Sequence, residues 1–288
     1  MRVLVTGACG MLGRLVCAGL KHEHHVIPTD VLPECEVLNI ADTNSVFEVI
    51  NRVRPEMVIH CAAMTDVDGC ERDPDSAYKI NAIGTWNIAC ACASVDASIA
   101  YVSTDYVFDG EKGEPYTEFD TPNPISVYGA SKLAGEQAVR ELCRKYYIVR
   151  TSWLFAPHGK NFPLSILRAA ETNKQLRIVA DQFGCPTYAK DLAAFLVHLV
   201  GSPLSGVYHF SNSGCCSWYD FAKGILGEAG KTDVEVLPIK SEDWPTPTRR
   251  PMFSVLRHYR MELLGRDGAR PWQDAVAEFI SEWNTAKQ

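Results

Sequence analysis

The chain lacks an excess of positive charge: 28 lysines and arginines stand against 35 aspartates and glutamates, for a net charge of −7. This balance argues against nucleic acid or an anionic membrane as a partner, because both are bound by basic patches. No apolar run approaches the roughly 20 residues that a membrane-spanning helix needs. The first residues, MRVLVTGACG, enter strand-like sequence without the features of a secretion signal. We therefore expect a cytoplasmic protein.

Paired metal-ligand motifs are also missing, although the chain has 11 cysteines. The cysteines are single or closely adjacent, as in Cys90-Ala91-Cys92 and Cys215-Cys216, and do not form the paired C-x₂-C spacing of zinc sites. In a cytoplasmic protein such cysteines are expected to be reduced thiols. We expect no bound metal.

What the chain does contain is a regular alternation of short apolar runs and helical patterns over its first 155 residues. Strands are predicted at residues 3–6, 25–29, 57–61, 99–102 and 147–152, and helices at 12–20, 45–53, 77–93 and 129–143. Continuous apolar runs are typical of parallel strands that are buried on both faces. The pattern predicts an α/β fold with a Rossmann-type, doubly wound parallel sheet.

The alternation becomes less regular after Trp153. Short strands are predicted at residues 176–179, 207–210 and 234–238, and helices at 162–171, 190–200, 217–228 and 272–283. We expect a dinucleotide-binding domain at residues 1–154 and a smaller, mixed α/β lobe, mainly for substrate, at 155–288. Some of the later elements are expected to return to the first sheet.

A glycine-rich turn, TGACGMLG at residues 6–13, follows the first predicted strand and opens the first helix. Gly7, Gly10 and Gly13 allow a tight turn and close approach of a pyrophosphate, and the helix N-terminus offers free N–H groups to the phosphates. Asp30, at the end of the second strand, suits a ribose diol and would repel a 2′-phosphate. It could instead be a turn residue, and nearby Arg14 and Lys21 leave the choice between NADH and NADPH open.

The stretch VYGASKLAGE at residues 127–136 places Tyr128 four residues before Lys132. On a helix this spacing puts both side chains on one face. The pair could be a chance feature of an amphipathic helix, or an acid–base device in which the ammonium lowers the pKa of the phenol. Thr104 follows the strand at 99–102, at the edge of the sheet where open α/β folds bind ligands. It could hold a carbonyl oxygen together with Tyr128.

The glycine turn, the Ser103-Thr104-Asp105 triplet and Tyr128–Lys132 occur in an order and spacing that resemble the extended short-chain dehydrogenase/reductase family. The resemblance covers nearly the whole chain. Further matching segments are STDYVFDG, PISVYGASKLAGE, VRTSWLF, ADQFGCPT and RRP. They indicate, within that family, the reductases of dTDP-linked 4-keto-6-deoxy sugars.

The resemblance implies a role for each matching residue. The catalytic set is Thr104, Tyr128 and Lys132. The implied cofactor-binding residues are Gly7, Gly10, Met11, Leu12, Gly13, Asp30, Asn39, Ile40, Cys61, Ala62, Ala63, Tyr128 and Lys132. The implied substrate-binding residues are Thr104, Asp105, Trp153, Asn161, Gln182 and Arg250. Alternatively, Trp153 could be core and Arg250 a solvated loop cation.

Two residues depart from the family pattern: Asn39 replaces an aspartate that accepts from the adenine amino group, and Met64 replaces a tyrosine. An asparagine carbonyl can still accept a hydrogen bond, and methionine gives a softer wall. We therefore expect the contacts with the nicotinamide end or with the sugar to differ from the family pattern.

The implied activity is reduction of dTDP-4-dehydro-L-rhamnose to dTDP-L-rhamnose with NADPH or NADH. Two alternatives stay open: reduction of another nucleotide-linked 4-keto sugar, or a non-catalytic role like that of the regulatory subunit of methionine adenosyltransferase. A homodimer is a possible assembly.

Overall fold

The computed structural model describes residues 1–286, which form thirteen strands and eleven α-helices. The strands are β1 (Arg2–Thr6), β2 (His25–Asp30), β3 (Glu36–Val37), β4 (Met57–His60), β5 (Ser98–Thr104), β6 (Tyr146–Thr151), β7 (Leu154–Phe155), β8 (Gln175–Val179), β9 (Phe183–Gly184), β10 (Thr187–Tyr188), β11 (Gly206–His209), β12 (Cys216–Ser217) and β13 (Glu235–Ile239). The helices are α1 (Met11–Leu20), α2 (Thr43–Val53), α3 (Val67–Arg72), α4 (Pro74–Tyr78), α5 (Thr85–Ser94), α6 (Val127–Leu142), α7 (Phe162–Thr172), α8 (Ala189–His198), α9 (Trp218–Glu228), α10 (Tyr259–Leu263) and α11 (Trp272–Ala286).

Seven strands form one parallel sheet in the order β11-β6-β5-β4-β1-β2-β3. The order reverses beside β1, as in Rossmann folds, so a crevice opens at the carboxyl ends of β1 and β4. Val3, Leu4 and Val5 are all fully buried, as expected for a strand covered on both faces. The predicted doubly wound α/β fold is confirmed.

Helices cover both faces of this sheet. On one face, α1 and α8 contribute Leu12, Val16 and Leu196 to a cluster with the side chains of β1. On the other face, α2 and α5 contribute Ile50 and Ile88 to a second cluster. Apolar residues recur on one side of each helix, so burial of that side fixes the helix against the sheet.

The C-terminal half contributes to both parts of the molecule. Strand β11 pairs in parallel with β6 and completes the large sheet. The remaining strands form three two-stranded sheets around a separate aromatic core that includes Phe155, Phe221 and Phe279. The division into functional domains at residue 154 stays a prediction.

The helix predicted at residues 77–93 was wrong as one continuous element. Helix α4 ends at Tyr78, a π-helical stretch runs from Lys79 to Gly84, and α5 follows. Asn81 lies in the π-helical stretch, where its amide donates to the Met64 carbonyl and to the Ser131 hydroxyl and accepts from the Met64 N–H. These bonds make the wider turn favourable and connect it to α6; such turns are frequent at functional sites.

No helix within residues 1–286 is long and apolar enough to cross a membrane.

Candidate active site

The glycine-rich turn lies between β1 and α1, beside the loop that follows β4. Gly7 has a φ of 66°, and a Cβ there would lie 2.8 Å from the Ala62 nitrogen, so only glycine fits. The Cys9 N–H donates to Oδ2 of Asp30 at 2.9 Å, and the Leu32 N–H donates to Oδ1 of the same carboxylate. Asp30, the last residue of β2, therefore holds the glycine turn in place. The turn, with its free N–H groups at the start of α1, fits a dinucleotide pyrophosphate.

The other predicted cofactor residues lie around the same crevice. Met11 and Leu12 begin α1, and Cys61, Ala62 and Ala63 follow β4. The Asn39 side chain accepts from the Ala41 N–H in a tight turn, so one lone pair of its carbonyl oxygen is already used. Ile40 is buried against Gly84. The structure thus brings these residues together, while their contacts with a cofactor stay predictions.

Tyr128 and Lys132 lie one turn apart in the first half of α6. The Ser126 hydroxyl accepts from the Gly129 N–H and caps the helix. Lys132 is buried, with its Nζ 4.2 Å from the centre of the Tyr101 ring. The Tyr101 hydroxyl donates to the Lys132 carbonyl at 3.2 Å. Tyr101 of β5 therefore holds the lysine in place through both contacts.

Burial shifts the pKa values of both side chains. It raises the pKa of the Tyr128 phenol well above its usual value, while the neighbouring Thr104 hydroxyl lowers it. It lowers the pKa of Lys132 to about 7, opposed by the Glu136 carboxylate. The direction for Tyr128 is opposite to the one expected from a nearby ammonium, because desolvation of the phenolate dominates. A phenol that stays protonated suits proton donation to a carbonyl oxygen.

Thr104 ends β5 and belongs to a buried chain of hydrogen bonds. Its hydroxyl donates to Oδ1 of Asp105 at 3.0 Å, and Ser254 donates to Oδ2 at 2.5 Å. Burial raises the pKa of Asp105 to about 6, although both of these hydrogen bonds lower it. Asp105 thus links β5 to the segment around Ser254, and so ties the two halves of the chain together at the site.

A buried ion pair fixes α6 against the sheet. Arg150 of β6 donates to Glu136 of α6 through Nε at 2.9 Å and through Nη2 at 2.7 Å. Ser103 also donates to Glu136, at 2.6 Å. Removing one partner of a buried, hydrogen-bonded pair costs about 3–5 kcal/mol, so these contacts hold the helix in place. They explain why the Tyr128–Lys132 turn is presented at the carboxyl edge of β5.

Arg250 lies in the loop between β13 and α10. Its Nη2 is 3.2 Å from Oδ2 of Asp68, and its Nη1 donates to the Tyr106 hydroxyl at 3.5 Å. Within residues 1–286, Nε of Arg250 and Oδ1 of Asp68 are buried without a hydrogen-bond partner. Nε of the guanidinium is therefore unused and Nη1 is only weakly used, which suits a bidentate contact with two oxygens of a phosphate. Arg249 instead points outward to Glu111.

Trp153 has a strained backbone and an aromatic partner. Its φ of 47° is rare for a bulky residue, and its ring stacks on Trp218 with the ring centres 3.5 Å apart. A Cβ at Gly184 would lie 2.5 Å from the Trp153 ring, so the absence of a side chain there makes room for it. Strain of this kind occurs where surrounding contacts hold a side chain for a function.

Asn161 and Gln182 are used within the protein. Asn161 is buried; its carbonyl oxygen accepts from the Leu164 N–H, and its amide donates to the Ala156 carbonyl. Asn161 therefore caps α7, and its side-chain amide has few N–H groups left to donate to a ligand. Gln182 donates to the Ser241 hydroxyl at 2.9 Å. Substrate contacts of both residues stay predictions.

The sequence prediction did not include Asp68, Tyr106, Ser254 or Trp218, although all four contact predicted site residues. Tyr106 lies next to the Ser-Thr-Asp triplet, a position that could have suggested it. The others come from distant parts of the chain and carry no local signal. No group of three histidine, cysteine or acidic side chains in the described part of the chain is arranged to hold a metal ion.

The seven-stranded parallel sheet, the glycine turn and the Thr104–Tyr128–Lys132 set together define the class of the extended short-chain dehydrogenases/reductases. The chain belongs to the RmlD substrate binding domain family, whose profile matches residues 1–285.

Comparisons with individual proteins agree with this membership. The chain is 40% identical over 287 residues to the spore coat polysaccharide biosynthesis protein SpsK of Bacillus subtilis, covering 99% of both chains. A dTDP-4-dehydrorhamnose reductase from Clostridium acetobutylicum has a similar structure, with a TM-score of 0.94, 45% identity and coverage of 99% of this chain and 100% of that one. The Bacillus anthracis dTDP-4-dehydrorhamnose reductase, solved in complex with NADP, gives a TM-score of 0.93 at 42% identity, covering 98% of this chain and 99% of that one.

Proposed function

We propose that the chain reduces dTDP-4-dehydro-L-rhamnose (dTDP-6-deoxy-L-lyxo-4-hexulose) to dTDP-L-rhamnose with NADPH or NADH. One observation carries the proposal: the candidate proton donor and the candidate phosphate anchor lie on one side of the site, joined by a single aromatic ring. The ring centres of Tyr128 and Tyr106 are 5.6 Å apart, and the Tyr106 hydroxyl is 3.5 Å from Arg250. A nucleotide-linked keto sugar carries both a carbonyl, which a proton donor would serve, and a diphosphate, which an arginine would bind.

The cofactor fits the residues present. The glycine turn and the N-terminus of α1 would hold its pyrophosphate, Asp30 its adenosine ribose, and Lys132 its nicotinamide ribose. When bound, the cofactor supplies the hydride that reaches the carbonyl carbon.

The chain's own residues supply the proton and the orientation. The Tyr128 phenol, kept protonated by burial, donates its proton to the carbonyl oxygen. The Thr104 hydroxyl, which donates to Asp105 in this structure, turns to donate to the same oxygen. Arg250 binds the diphosphate and Trp153 packs against the sugar nucleotide. Gln182 and Asn161 belong to the proposed substrate side, and Asn161 acts there by holding the start of α7.

The test is oxidation of NADPH and of NADH by the purified protein with dTDP-4-dehydrorhamnose, followed by NMR identification of the product. Formation of dTDP-L-rhamnose supports the proposal. Turnover only with a different nucleotide-linked 4-keto sugar would point to that alternative, and binding of cofactor without turnover of any such sugar would point to a regulatory subunit.

A homodimer and a cytoplasmic location stay predictions.

A further inference from the structure

Two thiols lie next to each other at the rim of the proposed cofactor crevice. Cys9 is in the glycine turn, and Cys35 ends the loop after β2. Their Sγ atoms are 2.9 Å apart, and neither residue is fully buried. A disulfide bond needs about 2.05 Å between the sulfurs. Less than 1 Å of side-chain movement therefore separates the two thiols from a covalent bond.

The pair sits at a position that matters for the cofactor. The Cys9 N–H donates to the Asp30 carboxylate, so Cys9 lies beside the residue proposed to bind the adenosine ribose. The segment from Val31 to Cys35 forms the neighbouring wall of the crevice and is held by the Cys35 N–H donating to the Leu32 carbonyl. A bond between the sulfurs would join the turn to this wall. The turn would then be less free to adapt to a pyrophosphate.

We propose that Cys9 and Cys35 are a redox modification site, and that a disulfide between them lowers the affinity of the crevice for NAD(P)H. The inference rests on the proposed function for the identity of the cofactor. It accounts for a feature that reduction of a sugar does not require, namely two thiols in contact on either side of the ribose position.

The oxidant that we infer is hydrogen peroxide. The Cys9 thiolate attacks one peroxide oxygen, the O–O bond breaks, and a sulfenic acid and hydroxide form. The Cys35 sulfur then displaces that oxygen from Cys9, so the S–S bond forms and water leaves. The two thiols lose two electrons in total, which the peroxide takes up.

The local environment determines the order in which the two thiols react. Burial and the hydrogen bond with Cys9 raise the pKa of the Cys35 thiol to about 12. Cys35 therefore stays protonated, and it is the second thiol to react. Bound NADPH should shift the equilibrium between thiols and disulfide toward the thiols, because the coupling between two equilibria is reciprocal.

The experiment compares reduced and peroxide-treated full-length protein. Free thiols are alkylated, cross-linked peptides are identified by mass spectrometry, and the Kd for NADPH is measured by fluorescence titration. We expect a 9–35 cross-link and a Kd at least fivefold higher, both reversed by a dithiol reductant. Cys35→Ser should keep its Kd after the same treatment. Cys215→Ser, which removes an exposed thiol elsewhere, should respond like the unmodified chain.

Three results would overturn the proposal: no bond between Cys9 and Cys35, a bond of Cys9 to Cys17 or Cys61 instead, or a 9–35 bond that leaves the Kd unchanged. An equal loss of affinity in oxidised Cys35→Ser would also overturn it, because the loss would not need the bond. If the reduced protein did not bind NADPH at all, the proposed function would fail separately, since the cross-link is detected without cofactor.

Discussion

Removing the Arg250 guanidinium is the change that tests the sugar-nucleotide assignment most directly. In the structure this group contacts Asp68 and Tyr106, and its Nε has no partner within residues 1–286. The Arg250 and Asp68 side chains are 26% and 27% exposed, so losing their ion pair should cost less than the about 3–5 kcal/mol of a fully buried pair. Arg250→Ala should therefore fold, and its effect should appear in substrate binding.

The expected magnitude follows from hydrogen bonds to a charged group, worth roughly 1.5–3 kcal/mol. At about 1.4 kcal/mol per factor of ten, KM for the dTDP-sugar should rise about 10- to 100-fold. Arg250→Lys should already raise it, because an ammonium lacks the planar fork. The Kd for NADPH should stay unchanged, since the pyrophosphate of the cofactor is held at the glycine turn.

Two further variants separate the causes. Arg249→Ala is the matched control, because Arg249 points outward to Glu111, and its KM should stay within about twofold of normal. In Arg250→Ala the Asp68 carboxylate is left unpaired and repels the diphosphate, so adding Asp68→Asn should recover part of the loss. The assay is steady-state oxidation of NADPH at varied dTDP-sugar. An unchanged KM in Arg250→Ala, or greater damage in Arg249→Ala, would refute the assignment.

Three other predictions concern the proton donor, a buried carboxyl and the ribose contact. Tyr128→Phe should lower kcat about 100-fold or more with little change in the Kd for NADPH, and normal turnover would exclude Tyr128 as the acid. Because the pKa of Asp105 is raised to about 6, its contribution to the free energy of unfolding should fall by up to about 3 kcal/mol between pH 4 and pH 6. Urea titrations should show that fall in the wild type and not in Asp105→Asn. Asp30→Asn should improve the affinity for NADPH relative to NADH. Asp30→Ala should weaken the binding of both cofactors, because the Cys9 N–H loses its acceptor. If the ratio of the two Kd values were the same in the wild type and in both variants, Asp30 would lie away from the ribose.

Six of the seven strands of the central sheet could be predicted because each carries its own signal, whereas the two-residue β3 was missed. Residues such as Val3–Val5 are apolar on both faces, and predicted helices separate most of these strands along the sequence. The two-residue strands of the C-terminal half could not be predicted in this way, because two residues have no periodicity. The π-helical turn at Lys79–Gly84 was also missed, since it depends on bonds from Asn81 to Met64 and Ser131 rather than on local sequence.

The candidate site likewise has a part that local sequence predicts and a part that only the folded structure reveals. Tyr128, Lys132 and the glycine turn are local patterns, and the structure places them as local geometry requires. Asp68 reaches Arg250 from 182 positions away, and Ser254 reaches Asp105 from 149 positions away. Such contacts arise only when the two halves of the chain pack together. The raised pKa of Tyr128 likewise depends on burial, which an i, i+4 spacing does not reveal.

Strand β11 has a consequence for synthesis of the chain. About 55 residues separate the end of β6 from the start of β11, so the growing polypeptide carries an uncovered sheet edge while they are made. At about 5–20 residues per second this interval lasts roughly 3–11 s. During it, β6 offers unpaired N–H and C=O groups to any other nascent chain. Slow translation between residues 151 and 206 should therefore lower the yield of native protein.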